Sequence, residues 1–341
     1  MPWWDPQTHA DRRPLLALKA RIKAKIRDLF LDQGFSEVEC GILAISPGNE
    51  AHLHGFETEA ILPDGSRKTL YLHTSPEFAA KKLLAAGEER IFEFARVFRN
   101  RERGRLHAPE FTMLEWYRAH EDYRSVIADT LTILQLAAET ARRKLTYLDR
   151  ECDAFAEPEW LTVEAAFRLH AGIELLDTLS SDGTGLRDSL ASRAKRAGLA
   201  VSDQDGWSDI FSKVLAARIE PKLGLGRPTI LYEYPRAEAA LARAKPGDPR
   251  LAERFELYTC GVELANGFGE LTEPAEQRAR FIAEMAEKKR VYGEDYPLDE
   301  DFLAALGRMP PASGVALGFD RLVMLASGAP HIEQVLWTPP P

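Results

Sequence analysis

Apolar and polar positions change period in a definite order along the chain. From Pro14, the residues Leu15, Leu18, Ile22, Ile26 and Leu29 keep helical spacing with Lys and Arg between them, predicting a helix that opens at Pro14 and stops at Gly34. FSEVE (35–39) alternates like a strand, and LYLHTSPEF (70–78) predicts a strand, a turn at Ser75–Pro76 and a helix from Glu77 to about Ala86. In RIFEFARVFRN, the set Ile91, Glu93, Ala95, Val97 alternates against Phe92, Phe94, Arg96, Phe98, which predicts a long strand. EFTMLEWYRAH (110–120) predicts a second, and an arginine-rich loop joins them as a hairpin. A helix is expected from about Ser125 to Lys144. Short helices and loops follow between 162 and 226, in what reads as a helical insertion at about 145–228. Thereafter PTILYEYP, RFELYTCGVELANGF and SGVALGFDRLVMLASG predict a strand, a strand pair and a strand running into a helix, with Asn266–Gly269 as a turn. Mostly antiparallel neighbours with grouped helices indicate an α+β fold rather than βαβ alternation.

Composition narrows the class without changing that outline. The chain has 341 residues, 45% hydrophobic and 28% charged, the balance of a globular protein that can form one large domain. No segment approaches the roughly 18 apolar residues of a membrane span. Cys40, Cys152 and Cys260 form no CxxC pair, as expected of reduced thiols in a cytoplasmic protein. A formal net charge of −9 argues against a protein that coats nucleic acid with its whole surface, while leaving room for a local basic patch.

That patch stands in VFRNRERGRLHAPEFTMLEW (97–116). Arg99, Arg101, Arg103 and Arg105 fall on every second position, followed by His107, Glu110, Phe111, Met113 and Glu115. Arginine suits bidentate phosphate recognition, so the loop could fold over a triphosphate. It could equally be a solvated hairpin whose charges prevent edge pairing. GVALGFDRL (314–322) brings an apolar strand through Gly318 into a helix whose first turn holds Arg321, a second anion-friendly position. Glu256, Glu263 and Glu270 recur at intervals of seven. On facing strands Glu256 and Glu263 could hold Mg²⁺, although a wet strand face would show the same spacing. His52 and His54, read as alternating on a strand face, lack further ligands at metal spacing. LGLGRP (223–228) lacks the context of a dinucleotide fingerprint, and Cys260 reads as core.

Taken together, FRN…HAPEFTMLEW resembles motif two of class II aminoacyl-tRNA synthetases, GVALGFDRL resembles motif three, and GFSEVECGIL resembles a degenerate motif one. TSPEF, HAPEFTMLEWY and ELANGFGELTEPAEQRARF are similar to the lysyl branch. The resemblance runs from Leu15 to Ser327 and implies a single catalytic domain over 1–341 without the anticodon-binding domain that precedes lysyl-tRNA synthetase cores. Stand-alone cores of this kind resemble the ligases that attach lysine or β-lysine to a lysine of elongation factor P. Ser75 and Ala316 agree with that sub-family.

The resemblance implies ATP and Mg²⁺ as cofactors, with Arg99 and Arg321 as the catalytic phosphate-binding arginines. Asn100, Arg101, Glu102, His107, Ala108, Phe111, Leu257 and Gly318 would complete the nucleotide site, and Glu256 and Glu263 would bind the metal. For the amino acid it implies Ser75, Pro76, Glu77, Glu115, Tyr117, Glu263, Asn266, Phe268, Glu270 and Ala316. It further implies a homodimer, elongation factor P as protein substrate, no stable tRNA binding and no membrane association. Three positions depart from the family: Arg101 replaces a glutamate, Ala108 an asparagine, and Cys40-Gly41 stands where motif one usually ends in proline. The rivals are activation of such an amino acid for another acceptor (tRNA, ammonia or a carrier protein) and a non-catalytic sensor that keeps the fold.

Overall fold

The computed structural model describes residues 2–341. Its centre is an eight-stranded sheet in the order Ser36–Glu37, Arg90–Phe98, Glu110–Ala119, Ala312–Gly318, Val262–Gly269, Leu251–Thr259, Thr229–Pro235 and Glu159–Thr162. The two short edge strands pair in parallel and every other pair is antiparallel. A smaller sheet, Leu43–Ala44, Arg67–Leu72 and Phe56–Ile61, lies beside it.

The period-two rule sorts the central strands into two faces. Phe92, Leu114, Trp116, Val315, Leu317, Ala265, Phe255 and Leu257 belong to the main apolar core, with Ile22, Ile26 and Phe30 of helix Pro6–Asp32. Ile133 and Leu134 of helix Tyr123–Ala141 and Leu322 of helix Phe319–Ser327 close it. The opposite face carries Met113, Glu115, Tyr117, Gly314, Ala316, Gly318, Asn266 and Phe268, and these line an open cavity.

The first helix starts eight residues before the predicted Pro14. Asp5 caps it, its side chain accepting from the amides of Gln7 and Thr8, and Pro6 occupies the first turn, where a missing N–H costs nothing. Pro14 is then interior, its lost hydrogen bond outweighed by docking: Arg12 donates to the carbonyl of Glu333 and Lys19 pairs with Asp320.

Asn266–Gly269 is a strand, not a turn, registered Asn266 to Ala316 and Phe268 to Gly314. Its glycines serve close packing. A Cβ on Gly267 would meet Phe255 at 2.5 Å. Segment 145–228 holds helices Val163–Ala171, Arg187–Arg196 and Trp207–Val214 around a second core that includes Phe167, Trp207 and Phe211. It also supplies the edge strand Glu159–Thr162. Among the described residues no helix is long and apolar enough to cross a membrane.

Candidate active site

One end of the cavity is a nest of buried carboxylates. Helix Glu77–Ala85 aims Glu77 and, one turn on, Lys81 inward. Strand Glu110–Ala119 contributes Glu115 and Tyr117, and Glu270 follows the end of Val262–Gly269. Gly314 makes room for them, since a Cβ there would lie 2.4 Å from the Tyr117 ring and 2.5 Å from Glu270 Oε1. Glu115, 2% exposed, accepts from the hydroxyls of Ser75 and Tyr117, with no cation on it. Burial and then the charge of Glu77 push its pKa up to about 8. Glu270, 1% exposed, has its pKa raised to about 7 by burial, although Lys81 pulls the other way. Lys81 Nζ lies 2.5 Å from Glu77 Oε1 and 2.6 Å from Glu270 Oε2. Burial opposes its charge, yet Glu270 and Glu77 hold its pKa above the usual lysine range. Three carboxylates and one ammonium leave two negative charges unmatched when all are ionised.

The other end carries cations. Arg99 follows strand Arg90–Phe98, its Nε 3.4 Å from the Thr74 carbonyl and its guanidinium 5.4 Å from the Phe111 ring centre. Arg321, in the first turn of Phe319–Ser327, donates to the carbonyls of Leu106 and Glu263 at 3.1 Å each and lies 2.7 Å from His107 Nε2. Loss of solvent and the Arg321 cation lower the His107 pKa, favouring a neutral ring that accepts from the arginine. The preceding residue fixes this turn: Asp320 is buried, pairs with Lys19 and accepts from the Thr112 amide at 2.7 Å. Glu102, Ala108, Phe111 and Gly318 complete this half of the cavity.

Glu256 and Glu263 reach one face through an irregularity. Leu257 pairs with Ala265 but Tyr258 pairs with Glu263, so Leu264 is an extra residue and Glu263 lands on the side of Glu256. Glu256 is held by Arg254 (2.6 Å) and the Tyr258 hydroxyl (2.7 Å). Glu263, 43% exposed at its side chain, faces the cavity. Partial desolvation and Glu256 push its pKa up, and Arg321 opposes them. Both glutamates are hard oxygen donors, each facing one arginine (Arg254 on Glu256, Arg321 at 4.0 Å from Glu263), and they fit Mg²⁺ held by two carboxylates plus substrate phosphates. Among the described residues no group of three or more His, Cys, Asp or Glu is arranged to hold a metal by itself.

Of the residues named from sequence, Ser75, Glu77, Arg99, Glu102, His107, Ala108, Phe111, Glu115, Tyr117, Glu263, Asn266, Phe268, Glu270, Ala316, Gly318 and Arg321 line the one cavity. Leu257 lies on the other face, in the main apolar core. Glu256 shares the cavity face with Glu263 but is buried against Arg254 and Tyr258 and does not line the cavity, and Pro76 lines a smaller neighbouring pocket. Asn100 accepts from the Arg101 amide. Arg101 turns away with a positive φ of 64°, pairs with Glu294 and lies over Tyr292. Arg103 binds the carbonyl of Pro341, so these two arginines point away from the cavity that Arg99 lines. His52 and His54 lie in a loop rather than on a strand, 3.0 Å from the Tyr292 hydroxyl and Glu294 respectively. Lys81 was the residue missed. The i,i+4 pair Glu77–Lys81 in SPEFAAKK was its visible signal. Glu50, Leu106 and Ile332 also line the cavity and carried no signal of their own.

The family model of class II tRNA synthetases (D, K and N) matches residues 5–340. Among curated proteins, the elongation factor P–(R)-β-lysine ligase of Haemophilus influenzae (strain PittGG) is 39% identical over 335 residues, covering 98% of this chain and 96% of the relative. That of Klebsiella pneumoniae (strain 342) is 40% identical over 336 residues with the same coverage. That of Haemophilus ducreyi is 39% identical over 323 residues, 94% of this chain and 92% of the relative.

Proposed function

We propose, for a chain that belongs to the class II tRNA synthetases of the D, K and N type, that it is a ligase which activates lysine or β-lysine with ATP and transfers it to a lysine side chain of elongation factor P. The observation that carries the substrate class is the carboxylate nest: three carboxylates around one ammonium, with a surplus of two negative charges once a bound cation draws all three into their ionised forms, beside two arginines. A diamino acid brings two ammoniums for the nest and one carboxylate that must be turned toward the arginines. The acceptor is supported by near full-length similarity to ligases named for elongation factor P.

The chain's own groups account for the chemistry. Attack of the substrate carboxylate on the α-phosphorus needs orientation and charge stabilisation more than acid–base help. Glu115, Glu77 and Glu270 fix the ammoniums and thereby aim the carboxylate. Arg99 and Arg321 meet the phosphate oxygens as charge spreads over them, and His107, Asp320 and Lys19 hold Arg321 in place. Glu256 and Glu263 would hold Mg²⁺, which when bound neutralises triphosphate charge. The apolar side chains Ile42, Leu43 and Ile45, exposed at 39%, 58% and 42%, offer a face for a second copy in a homodimer. A net charge of −9 speaks against stable tRNA binding. ATP–pyrophosphate exchange across a panel of amino acids tests the reading: exchange confined to lysine and β-lysine supports it, and exchange driven equally by leucine or norleucine refutes it.

A further inference from the structure

Lys81 is 1% exposed and reaches no bulk solvent, yet it sits between two of the carboxylates that face the cavity. A buried ammonium costs several kcal/mol in desolvation unless well paired. A pocket that merely needed two negative charges could be built from two carboxylates and an apolar residue. Here a third carboxylate and a matching cation are kept instead. Tyr117 and Ser75, the other polar groups on Glu115, are neutral. Glu93, opposite Glu115 on the neighbouring strand, accepts from the Cys40 amide and does not line the cavity, and Arg243 near Glu270 is paired with Glu253. The count is therefore that of the groups lining the pocket with Lys81.

We propose that Lys81 is a positioning residue, the pocket's resident counter-ion: it ties Glu77 to Glu270 at fixed separation and sets the surplus at two negative charges, so that the site takes diamino acids and rejects monoamino ones. This rests on the reading that the pocket binds a diamino acid. Without Lys81 three carboxylates would face one another and the count would be wrong by one. With Lys81 but without Glu77 it would be wrong in the other direction. The arrangement therefore makes a compensation that packing alone does not.

The test is pyrophosphate exchange with lysine and β-lysine for the wild type, Lys81→Met, Glu77→Gln and the double variant. Each single substitution is expected to raise the amino-acid KM about tenfold or more while the ATP KM stays within about threefold. The double variant, with the surplus restored to two, is expected to show an amino-acid KM below that of both singles. A double variant whose KM is not below both overturns the proposal and makes Lys81 a packing residue. Should Lys81→Met alone fail to fold, comparison of the double variant with Glu77→Gln decides the question in the same way. Wild-type protein that activates norleucine as readily as lysine would instead remove the diamino-acid reading beneath it.

Discussion

Replacing Glu115 by glutamine should make the empty protein more stable at alkaline pH while disabling it. The native pKa of Glu115 is pushed up to about 8 from an ordinary 4.5, by burial first and then by Glu77. The folded state thus holds a proton that the unfolded chain has released, and stability falls as pH rises between those two values. Each pH unit in that window is worth about 1.4 kcal/mol, so the group removes about 4 kcal/mol between pH 5 and pH 8. An amide cannot ionise, still accepts from the Ser75 hydroxyl, and can donate to the Tyr117 oxygen. Urea unfolding without ligand at pH 5 and pH 8 measures the effect. The difference between variant and wild type should move in favour of Glu115→Gln by about 4 kcal/mol over that range, and exchange with lysine or β-lysine should fall by about two orders of magnitude or more. An unchanged difference at the two pH values would show that Glu115 is not a strained, unmatched charge, and the surplus argued for the pocket would go with it.

Arg99→Ala and Arg321→Ala should each lower pyrophosphate exchange by about two to three orders of magnitude, because each removes one oriented donor at developing charge. Thermal unfolding should be little altered for Arg99→Ala and lowered for Arg321→Ala, which also frees the carbonyls of Leu106 and Glu263. Exchange within about threefold of wild type would remove either from the phosphate clamp. Asp320→Ala should behave differently: it strands the buried Lys19 ammonium and the Thr112 amide, costing about 3–5 kcal/mol of stability as well as activity. Calorimetry in buffers of different ionisation enthalpy should find protons released when a diamino acid binds at pH 7, since its ammoniums draw Glu115 and Glu270 into their charged forms. The release should shrink by pH 9, and uptake at pH 7 would contradict the charge assignment.

Much of the arrangement was legible because the hairpin and the motif-three strand are long and strictly periodic. Their alternation separates Phe92, Leu114 and Trp116 from Met113, Glu115 and Tyr117, and the structure shows the first set in the core and the second on the open face. Two features hid from such reasoning. Asn266–Gly269 looks like a turn by composition, yet its glycines are there because Phe255 and Glu253 occupy the space a side chain would need, which only the packed sheet reveals. The one-residue slip at Leu264 puts Glu263 on the side of Glu256, whereas a regular ladder would have turned Leu264 there. Within the arginine ladder, only the folded chain separates Arg99, which lines the cavity, from its neighbours. The ladder's charge suited a triphosphate, but Arg101 and Arg103 found nearer partners in Glu294 and the carbonyl of Pro341, which are distant in sequence.

Activation and transfer come apart most directly in a single tube. Purified protein, ATP, Mg²⁺ and labelled β-lysine or lysine are mixed with equal amounts of elongation factor P and tRNA, and the label on each acceptor is followed by mass spectrometry and by acid-precipitable counts. Label should accumulate on one lysine of elongation factor P, with a rate that climbs from about pH 7 to 9 because only the neutral amine attacks an activated carboxyl. The tRNA should stay uncharged. Charged tRNA beside unmodified elongation factor P would contradict the proposed function and make the chain a synthetase in activity as well as in family.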